Sequence, residues 1–194
     1  HDVIRRQRQM CIRDRVKSVG VFLSSLTPKL NLENDLDIFA SFISESKFKL
    51  VYGGGKRGLM GKLSEKVSKK NGIIKGITLP MFDNEVIKPS YLDEEEVQPN
   101  FYLRKKGLID QSDFFVIMPG GVGTADEFFD VFNHLSLKLI EKNIFIFNKN
   151  DCWTDIIKWL EKNVELGMLP SISDKLFIAD NIEELIKSIK LNEF

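Results

Sequence analysis

The sequence predicts an α/β fold built on a single Rossmann-like, doubly wound parallel sheet with helices on both faces. Short apolar runs, rich in β-branched and aromatic residues, recur along the chain from Lys17 onward. Amphipathic stretches of helical length separate these runs. Because the runs are continuously apolar rather than alternating, they indicate strands covered on both sides, which is typical of parallel sheets.

Strands and helices are predicted to alternate in chain order. The strands are expected at 18–23, 48–52, 73–79, 113–118, 143–147 and 176–179, with room for a shorter strand at 95–97. The intervening helices are expected at about 31–46, 58–71, 100–111, 124–141, 152–166 and 182–190. In a sheet of this kind, ligands bind beyond the carboxyl ends of the strands, where helix N-termini converge.

The length of 194 residues and the mass of 22.3 kDa suit one domain with a full-sized core, which we place at 16–194. The first fifteen residues differ from the rest, since they hold five arginines whereas the remainder has only Arg57 and Arg104. A basic targeting segment is one interpretation of residues 1–15. We favour the other, a translated adapter or non-native extension, and expect residues 1–15 to be disordered and to carry no function.

The composition argues against several classes of function. A net charge of +0 and a pI of about 6.9 disfavour nucleic-acid binding by broad charge neutralisation. With two cysteines and two histidines, a structural zinc site and a Ser-His-Asp triad are poor hypotheses, so no metal is expected. No apolar run approaches the length needed to span a membrane. We therefore expect a cytoplasmic protein that binds neither membrane nor nucleic acid.

The turn after the fourth predicted strand is the best candidate for a binding site. Pro119 ends the strand because it lacks a ladder donor, and Gly120, Gly121 and Gly123 let a ligand approach the backbone closely. Thr124 is predicted to open the next helix, whose N-terminal amides and positive dipole end favour an anion. A plain turn is the alternative, but three glycines in four residues exceed what a turn requires. The pattern therefore predicts a phosphate site.

Glu127 has two interpretations. The residues from Thr124 to Glu127 fit a capping box, in which the glutamate carboxylate reaches back to the amide of the N-cap residue. The same position would also place a carboxylate beside a sugar whose phosphate is bound at the turn. The residue alone does not decide between the two.

A second glycine-rich turn follows the second predicted strand. Residues 53–58 satisfy the dinucleotide fingerprint G-x-G-x-x-G, but the next strand ends without the acidic residue that would hold a ribose 2′-hydroxyl. We therefore discount a nicotinamide cofactor and interpret Gly54 and Gly55 as a second wall of the pocket. For Met60 we favour a packing role, with contact to a purine as the alternative. Solvated surface charge is the alternative for Arg104, but arginine offers a planar fork for phosphate or ribose oxygens that lysine cannot copy.

The segment from Pro119 to Glu127, PGGVGTADE, resembles the P-G-G-x-G-T-x-x-E signature of the Lonely Guy family. Members of this family are cytokinin riboside 5′-monophosphate phosphoribohydrolases, often labelled lysine decarboxylases. The resemblance covers roughly residues 17–190. It includes residues 51–55 and 58–61, the Arg104–Lys105 pair, and Asp113 before the phosphate turn.

The resemblance implies that Arg104 and Glu127 are the catalytic pair. It implies a nucleotide site lined by Glu85, Lys105, Gly120, Gly121, Gly123 and Thr124. The candidate substrate site is completed by Ser24, Gly54, Gly55, Met60, Asp113 and Val122. Whether Glu127 acts as charge stabiliser, base or nucleophile stays open.

The activity implied by the resemblance is hydrolysis of the N-glycosidic bond of AMP or N6-substituted AMP to a free base and ribose 5-phosphate. No cofactor is expected for this reaction. The resemblance also suggests a homodimer, with the helix that carries His134 as a contact.

A non-catalytic carrier of a nucleotide or phosphorylated cofactor, on the same fold, is the main alternative. The presence of both Arg104 and Glu127 favours the enzyme. Lysine decarboxylation would need pyridoxal phosphate on a lysine, and no lysine has a recognisable context for that cofactor. The neutral net charge disfavours a DNA-binding role.

Overall fold

The strands follow the predicted apolar runs. A computed structural model of the chain describes residues 16–82, 89–171 and 174–193. Seven strands lie in these ranges: β1 (Ser18–Phe22), β2 (Lys49–Tyr52), β3 (Ile73–Thr78), β4 (Glu94–Val97), β5 (Phe114–Ile117), β6 (Ile144–Phe147) and β7 (Leu176–Ala179). The helices there are α1 (Glu33–Glu45), α2 (Gly58–Lys69), α3 (Phe101–Asp110), α4 (Val122–Ser136), α5 (Thr154–Glu165) and α6 (Ile182–Glu193). Short 3-10 helices, Pro80–Phe82 and Lys149–Asp151, follow β3 and β6.

All the strands join one parallel sheet in the order β4-β3-β2-β1-β5-β6-β7. The chain builds the sheet outward from β1 in one direction, then returns to the other side of β1 to add β5. The strand order therefore reverses between β1 and β5. In open sheets of this kind, the crevice at the carboxyl ends beside this reversal is where ligands bind.

Helices cover both faces of the sheet, as predicted. On one face α1, α2 and α6 pack on the sheet through side chains that include Phe39, Leu63 and Ile189. On the other face α3, α4 and α5 pack through a second apolar cluster that includes Leu108 and Phe128. The central strands β1, β2, β5 and β6 are buried almost throughout, which gives the continuous apolar runs that identified them.

The edge strand β4 departs furthest from that pattern. Its sequence is Glu-Glu-Glu-Val and it alternates between half-buried and exposed positions, so its apolar content does not reveal it. Lys75 on β3 pairs with Glu94 and Glu96, which places charges along this edge. Charged side chains of this kind discourage further strands from pairing with the edge.

Helix α4 begins two residues earlier and ends five residues earlier than predicted. Gly121 is its N-cap residue, and the Ala125 amide donates to the Gly121 carbonyl at 3.0 Å. Thr124 is therefore inside the first turn rather than its opening residue. At the other end Lys138 has a positive φ of 58°, and the Leu139 amide donates back to the His134 carbonyl at 2.9 Å. This left-handed residue ends the helix.

Within the described ranges, none of the helices is long and apolar enough to cross a membrane. Residues 1–15 and Glu85, which carry two of the sequence-based expectations, lie outside the described residues.

Candidate active site

A cleft of about 480 Å³ lies at the reversal of strand order, over the carboxyl ends of β1, β2 and β5. This volume is in the range of pockets that bind small molecules. The described residues that line it are Leu23, Ser24, Ser25, Leu26, Gly53, Gly55, Arg57, Met60, Phe82, Arg104, Gly121, Val122, Gly123, Thr124 and Glu127. Both glycine-rich turns of the sequence thus contribute to one cleft.

The N-terminus of α4 forms one wall of the cleft. Its N-cap residue Gly121 has no side chain to accept from the first helical amides, so those donors remain available to a ligand. A β carbon placed at Gly121 or Gly123 would meet no atom within 4 Å, because both positions open into the cleft. Packing therefore does not require glycine at either position, whereas close approach of an anion to the backbone would.

Gly120 is glycine for a different reason. A β carbon at this position would lie 2.1 Å from the Thr124 hydroxyl oxygen, so the buried Thr124 side chain occupies that space. The close contact folds the turn back on the first turn of α4. It holds Thr124 against the cleft that this residue lines.

Arg104 and Glu127 meet at the floor of the cleft. Arg104 is held from two sides, since its Nε donates to the Ile77 carbonyl at 3.0 Å and its Nη1 donates to Glu127 Oε1 at 2.9 Å. The Arg104 and Glu127 side chains are only 11% and 14% exposed. This is a nearly buried ion pair whose two members come from α3 and α4. Such a pair is costly to desolvate, so its presence beside a cleft points to function.

Glu127 is not a capping residue. The N-cap of α4 is Gly121, so Glu127 lies in the second turn of the helix and the capping-box interpretation is wrong. Its carboxylate faces Arg104 instead. Burial raises the pKa of Glu127 above its ordinary value, while the charge and hydrogen bond of Arg104 act in the opposite direction.

The backbone of Ser24 joins three walls of the cleft. Its amide donates to the Pro119 carbonyl at 3.3 Å, and its carbonyl accepts from the Met60 amide at 3.2 Å. The loop after β1 is thereby connected to the turn after β5 and to the first turn of α2. The Ser24 hydroxyl accepts from the Leu26 amide at 3.0 Å, which shapes the loop itself.

Nine of the sequence-predicted site residues line this cleft together. They are Ser24, Gly55, Met60, Arg104, Gly121, Val122, Gly123, Thr124 and Glu127. Gly120 lies directly behind Thr124. Glu85 lies outside the described residues.

Three other predicted residues lie elsewhere. Gly54 has a φ of 77° and faces β3, where a β carbon would be 3.2 Å from the Thr78 side chain. Asp113 precedes β5 and accepts from the Ser18 amide at 2.8 Å, so it lies at the amino ends of the strands, opposite the cleft. Lys105 is directed to Asp126 at 3.1 Å and to Asp130 at 3.6 Å.

Neighbouring residues in a turn or helix point in different directions, so a correctly located motif can include members, such as Gly54 and Lys105, that do not line the cleft. Asp113 differs from these two, since it lies at the other end of β5 from the phosphate turn. In the second glycine turn Gly53 and Gly55 line the cleft while Gly54 does not. A β carbon at Gly53 would lie 2.3 Å from Arg104 Nη2, a proximity that the sequence does not reveal.

Sequence reasoning also missed Arg57, Phe82 and the loop residues Leu23, Ser25 and Leu26. The rarity of arginine after residue 15 was the available signal for Arg57. The loop residues follow the first strand of a predicted doubly wound sheet, which is a topological signal. Phe82 carries no such signal, and it packs edge-on against Phe101 with ring centroids 6.4 Å apart.

Comparison with known proteins gives a family and a set of relatives. A family model described as possible lysine decarboxylase matches residues 60–189. A cytokinin riboside 5′-monophosphate phosphoribohydrolase of Rhodococcoides fascians is 29% identical over 182 residues, covering 92% of this chain and 91% of that protein. An Arabidopsis thaliana protein of the same name is 28% identical over 184 residues, covering 92% of this chain and 79% of that protein.

The fold is also found in solved structures of low sequence identity. A molybdenum cofactor binding protein from Rippkaea orientalis has a TM-score of 0.69 at 19% identity, covering 93% of this chain and 99% of that chain. The molybdenum cofactor carrier protein of Chlamydomonas reinhardtii has a TM-score of 0.70 at 16% identity, covering 92% of this chain and 99% of that chain. At these identities the likeness concerns the fold alone.

Proposed function

The chain belongs to the family whose model is described as possible lysine decarboxylase, and from that premise we propose that it is a nucleoside 5′-monophosphate phosphoribohydrolase. It hydrolyses the N-glycosidic bond of AMP or of N6-substituted AMP, releasing the base and ribose 5-phosphate. The observation that carries this proposal is the Arg104–Glu127 pair, 2.9 Å apart, in the same cleft as the open N-terminus of α4. The names of the relatives support the same reaction.

The phosphate binds first in this scheme. Amides at the start of α4 and the Thr124 hydroxyl receive the 5′-phosphate, aided by the positive end of the helix dipole. An anchored phosphate fixes the ribose in the cleft and supplies the positioning part of the rate enhancement. The anomeric carbon then lies over the Arg104–Glu127 pair.

Glu127 acts on the reacting sugar. As the C1′–N bond breaks, its electron pair goes to the base and positive charge develops on the sugar. A carboxylate in a nearly buried site stabilises that charge strongly, or accepts a proton from the attacking water. Water supplies the oxygen that ends on C1′, and its lost proton ends on the departing base. Arg104 holds the Glu127 carboxylate in place through Nη1.

The description of the family as decarboxylases is not supported by the side chains of the cleft. Decarboxylation through pyridoxal phosphate needs a lysine whose amine forms a Schiff base. None of the described residues that line the cleft is a lysine. Lys105, the nearest in sequence to Arg104, is occupied by Asp126 and Asp130.

A carrier that binds a phosphorylated ligand without turnover is the competing function. Molybdenum cofactor proteins share this fold, which is why a carrier is the alternative to consider. A carrier has no need of a nearly buried carboxylate paired to arginine in its ligand cleft, which favours the enzyme. Both functions include binding of a phosphate, so only turnover of the bound nucleotide distinguishes the enzyme from the carrier.

We further propose a homodimer in the cytoplasm. Large apolar side chains are exposed at the end of α4 and along and after α5, namely Leu137, Leu139, Trp159, Leu166 and Met168. An exposed apolar surface of this kind supports association with a second copy. The Cys152 thiol is free, which fits a reducing compartment. Light scattering on the purified protein tests the dimer, and a monomer would contradict it.

The deciding experiment is an assay of released base and ribose 5-phosphate. The protein is incubated separately with AMP, N6-isopentenyladenosine monophosphate, IMP, GMP, CMP and adenosine. We expect cleavage of adenine nucleotides and little cleavage of adenosine, because the nucleoside lacks the phosphate that α4 binds. Tight nucleotide binding without any released base would support the carrier, and equal cleavage of AMP and adenosine would contradict the phosphate site.

A further inference from the structure

Two consecutive residues of α3 face two consecutive residues of α4. Arg104 Nη1 donates to Glu127 Oε1 at 2.9 Å, and Lys105 Nζ donates to Asp126 Oδ1 at 3.1 Å. The first bridge lies at the floor of the cleft. The second lies immediately outside it, on the solvent side of the same two helices. The two helices are thus joined by a double bridge.

The outer bridge is partly buried on its lysine side. The Lys105 side chain is 22% exposed and is also 3.6 Å from Asp130, one turn further along α4. Lys105, Glu127 and Asp130 line one small crevice between α3 and α4, closed below by Phe22. Burial works to lower the pKa of Lys105, but Asp126 and Asp130 outweigh it, so the pKa is raised and the ammonium persists. Lys105 is therefore a fixed charge beside Glu127.

We propose that Lys105 and Asp126 are positioning residues for the reaction, whose bridge keeps α3 and α4 in the register that holds Arg104 on Glu127 and sets the balance of charge around the Glu127 carboxylate. This inference rests on the proposed function of the cleft. It replaces a substrate-binding role for Lys105, whose ammonium points away from the cleft.

Lys105 and Asp126 act in opposite directions on the pKa of Glu127. Arg104 and Lys105 approach from α3, Asp126 and Asp130 belong to α4, and Arg57 lies across the cleft at the start of α2. Lys105 acts to lower the pKa of Glu127, whereas Asp126 acts to raise it. Removing either residue breaks the same bridge, but the two removals change the charge near Glu127 with opposite sign.

The test compares Lys105→Met and Asp126→Asn in the acid limb of the pH profile of kcat/KM for AMP. We expect the limb to move to higher pH in Lys105→Met and to lower pH in Asp126→Asn, each by about half a pH unit. Both variants should lose several-fold in kcat because the outer bridge no longer fixes α3 against α4. Lys105→Arg keeps the charge and the bridge, so it should restore most of kcat and leave the limb in place.

Lys106→Met is the matched control. Lys106 is the next residue of α3 and pairs with Asp110 on its own helix, away from Glu127. Its loss should leave both kcat and the acid limb unchanged. Shifts of the same sign in Lys105→Met and Asp126→Asn, or no shift in either, would overturn the proposal.

A second readout keeps this test separate from the proposed function. A carbon-13 NMR titration follows the Glu127 carboxyl directly, with the signal assigned by its loss in Glu127→Gln. The same opposite shifts are expected there whether or not AMP is hydrolysed. Absence of AMP turnover with opposite NMR shifts would count against the phosphoribohydrolase while leaving the positioning role intact. Thermal melting of each variant checks that the fold is retained.

Discussion

Gly53 lies directly against the guanidinium of Arg104. A β carbon at residue 53 would come within 2.3 Å of Arg104 Nη2 and 3.2 Å of Met60 Sδ. The turn after β2 therefore fixes the position of a side chain that α3 supplies. It does so beside the carbonyl of Ile77, which holds the same guanidinium through Nε.

Gly53→Ala is expected to displace the Arg104 guanidinium. Arg104 is anchored by Ile77 and Glu127, so the added methyl group must break at least one of these contacts. We expect a loss of kcat of about tenfold or more, since misplacing a catalytic group by an ångström is costly. Gly107→Ala, in α3 and outside the residues that line the cleft, is the control, because its methyl group would make ordinary contacts of 3.5 Å with Ile77. Equal activity of the two variants would show that the position of Arg104 is not critical.

Glu127→Gln should abolish most turnover and preserve the fold. Glutamine keeps the size of the side chain but cannot stabilise positive charge on the sugar or accept a proton. A single electrostatic contact of this kind is worth about 3–4 kcal/mol, so a loss of a few hundred-fold in kcat is expected. Glu161→Gln, on the exposed side of α5, is the control for loss of a carboxylate. Near-normal AMP turnover in Glu127→Gln would remove this residue from the mechanism and favour a carrier.

Arg104→Lys should also be impaired, although it keeps the positive charge. Arg104 uses Nε for the Ile77 carbonyl and Nη1 for Glu127 at the same time. A lysine ammonium is a point charge and cannot reproduce this fork. We expect kcat to fall by about tenfold or more with little change in melting temperature. Full activity in the lysine variant would mean that charge alone is required.

The raised pKa of Glu127 predicts an acid limb in kcat/KM above the ordinary glutamate value of 4.5. In the proposed reaction Glu127 acts as a carboxylate, so activity should fall as pH drops through that raised pKa. Residual activity of Glu127→Gln should lack this limb. An acid limb at or below 4.5 in the wild-type enzyme would contradict the burial effect.

The same pKa predicts a pH dependence of stability. Because the folded state binds the Glu127 proton more tightly than the unfolded state, the protonated side chain contributes stability that is fully present below the unfolded pKa. That contribution is lost as pH rises through the folded pKa. The free energy of unfolding of the wild type, relative to Glu127→Gln, should therefore decrease across this interval. Urea unfolding at a series of pH values measures it.

Gly123→Ala should separate stability from binding. Gly123 is in the first turn of α4, and its β carbon would meet no atom within 4 Å, so alanine is tolerated and gains up to about 1 kcal/mol from helix propensity. Its methyl group would nevertheless project into the cleft, over the amides that we propose to bind the phosphate. We expect an equal or higher melting temperature with a rise in KM for AMP of about tenfold.

Gly107→Ala is the matched helix variant for this test. Gly107 lies in α3, where a β carbon would make ordinary contacts of 3.5 Å with Ile77. Its melting temperature should respond as that of Gly123→Ala does, while its KM for AMP stays unchanged. An unchanged KM in Gly123→Ala would place the phosphate elsewhere.

The sequence by itself determined the sheet and the location of its binding edge. Continuous apolar runs such as 114–117 indicate burial on both faces, which, with helices between the runs, is typical of a parallel, doubly wound arrangement. The run from Pro119 to Thr124 marks a place where backbone amides are left open to a ligand. Both signals can be read from short segments, because the burial and the backbone conformation of a position restrict which residue type occurs there.

Only the tertiary structure decided which residues meet. Arg104 and Glu127 are separated by 23 residues, and they face each other because α3 and α4 pack side by side on the same face of the sheet. The next residue along α3, Lys105, is rotated by about 100° around the helix and reaches Asp126 outside the cleft. The contact depends on how two helices are rotated against each other, and packing on the sheet sets that rotation.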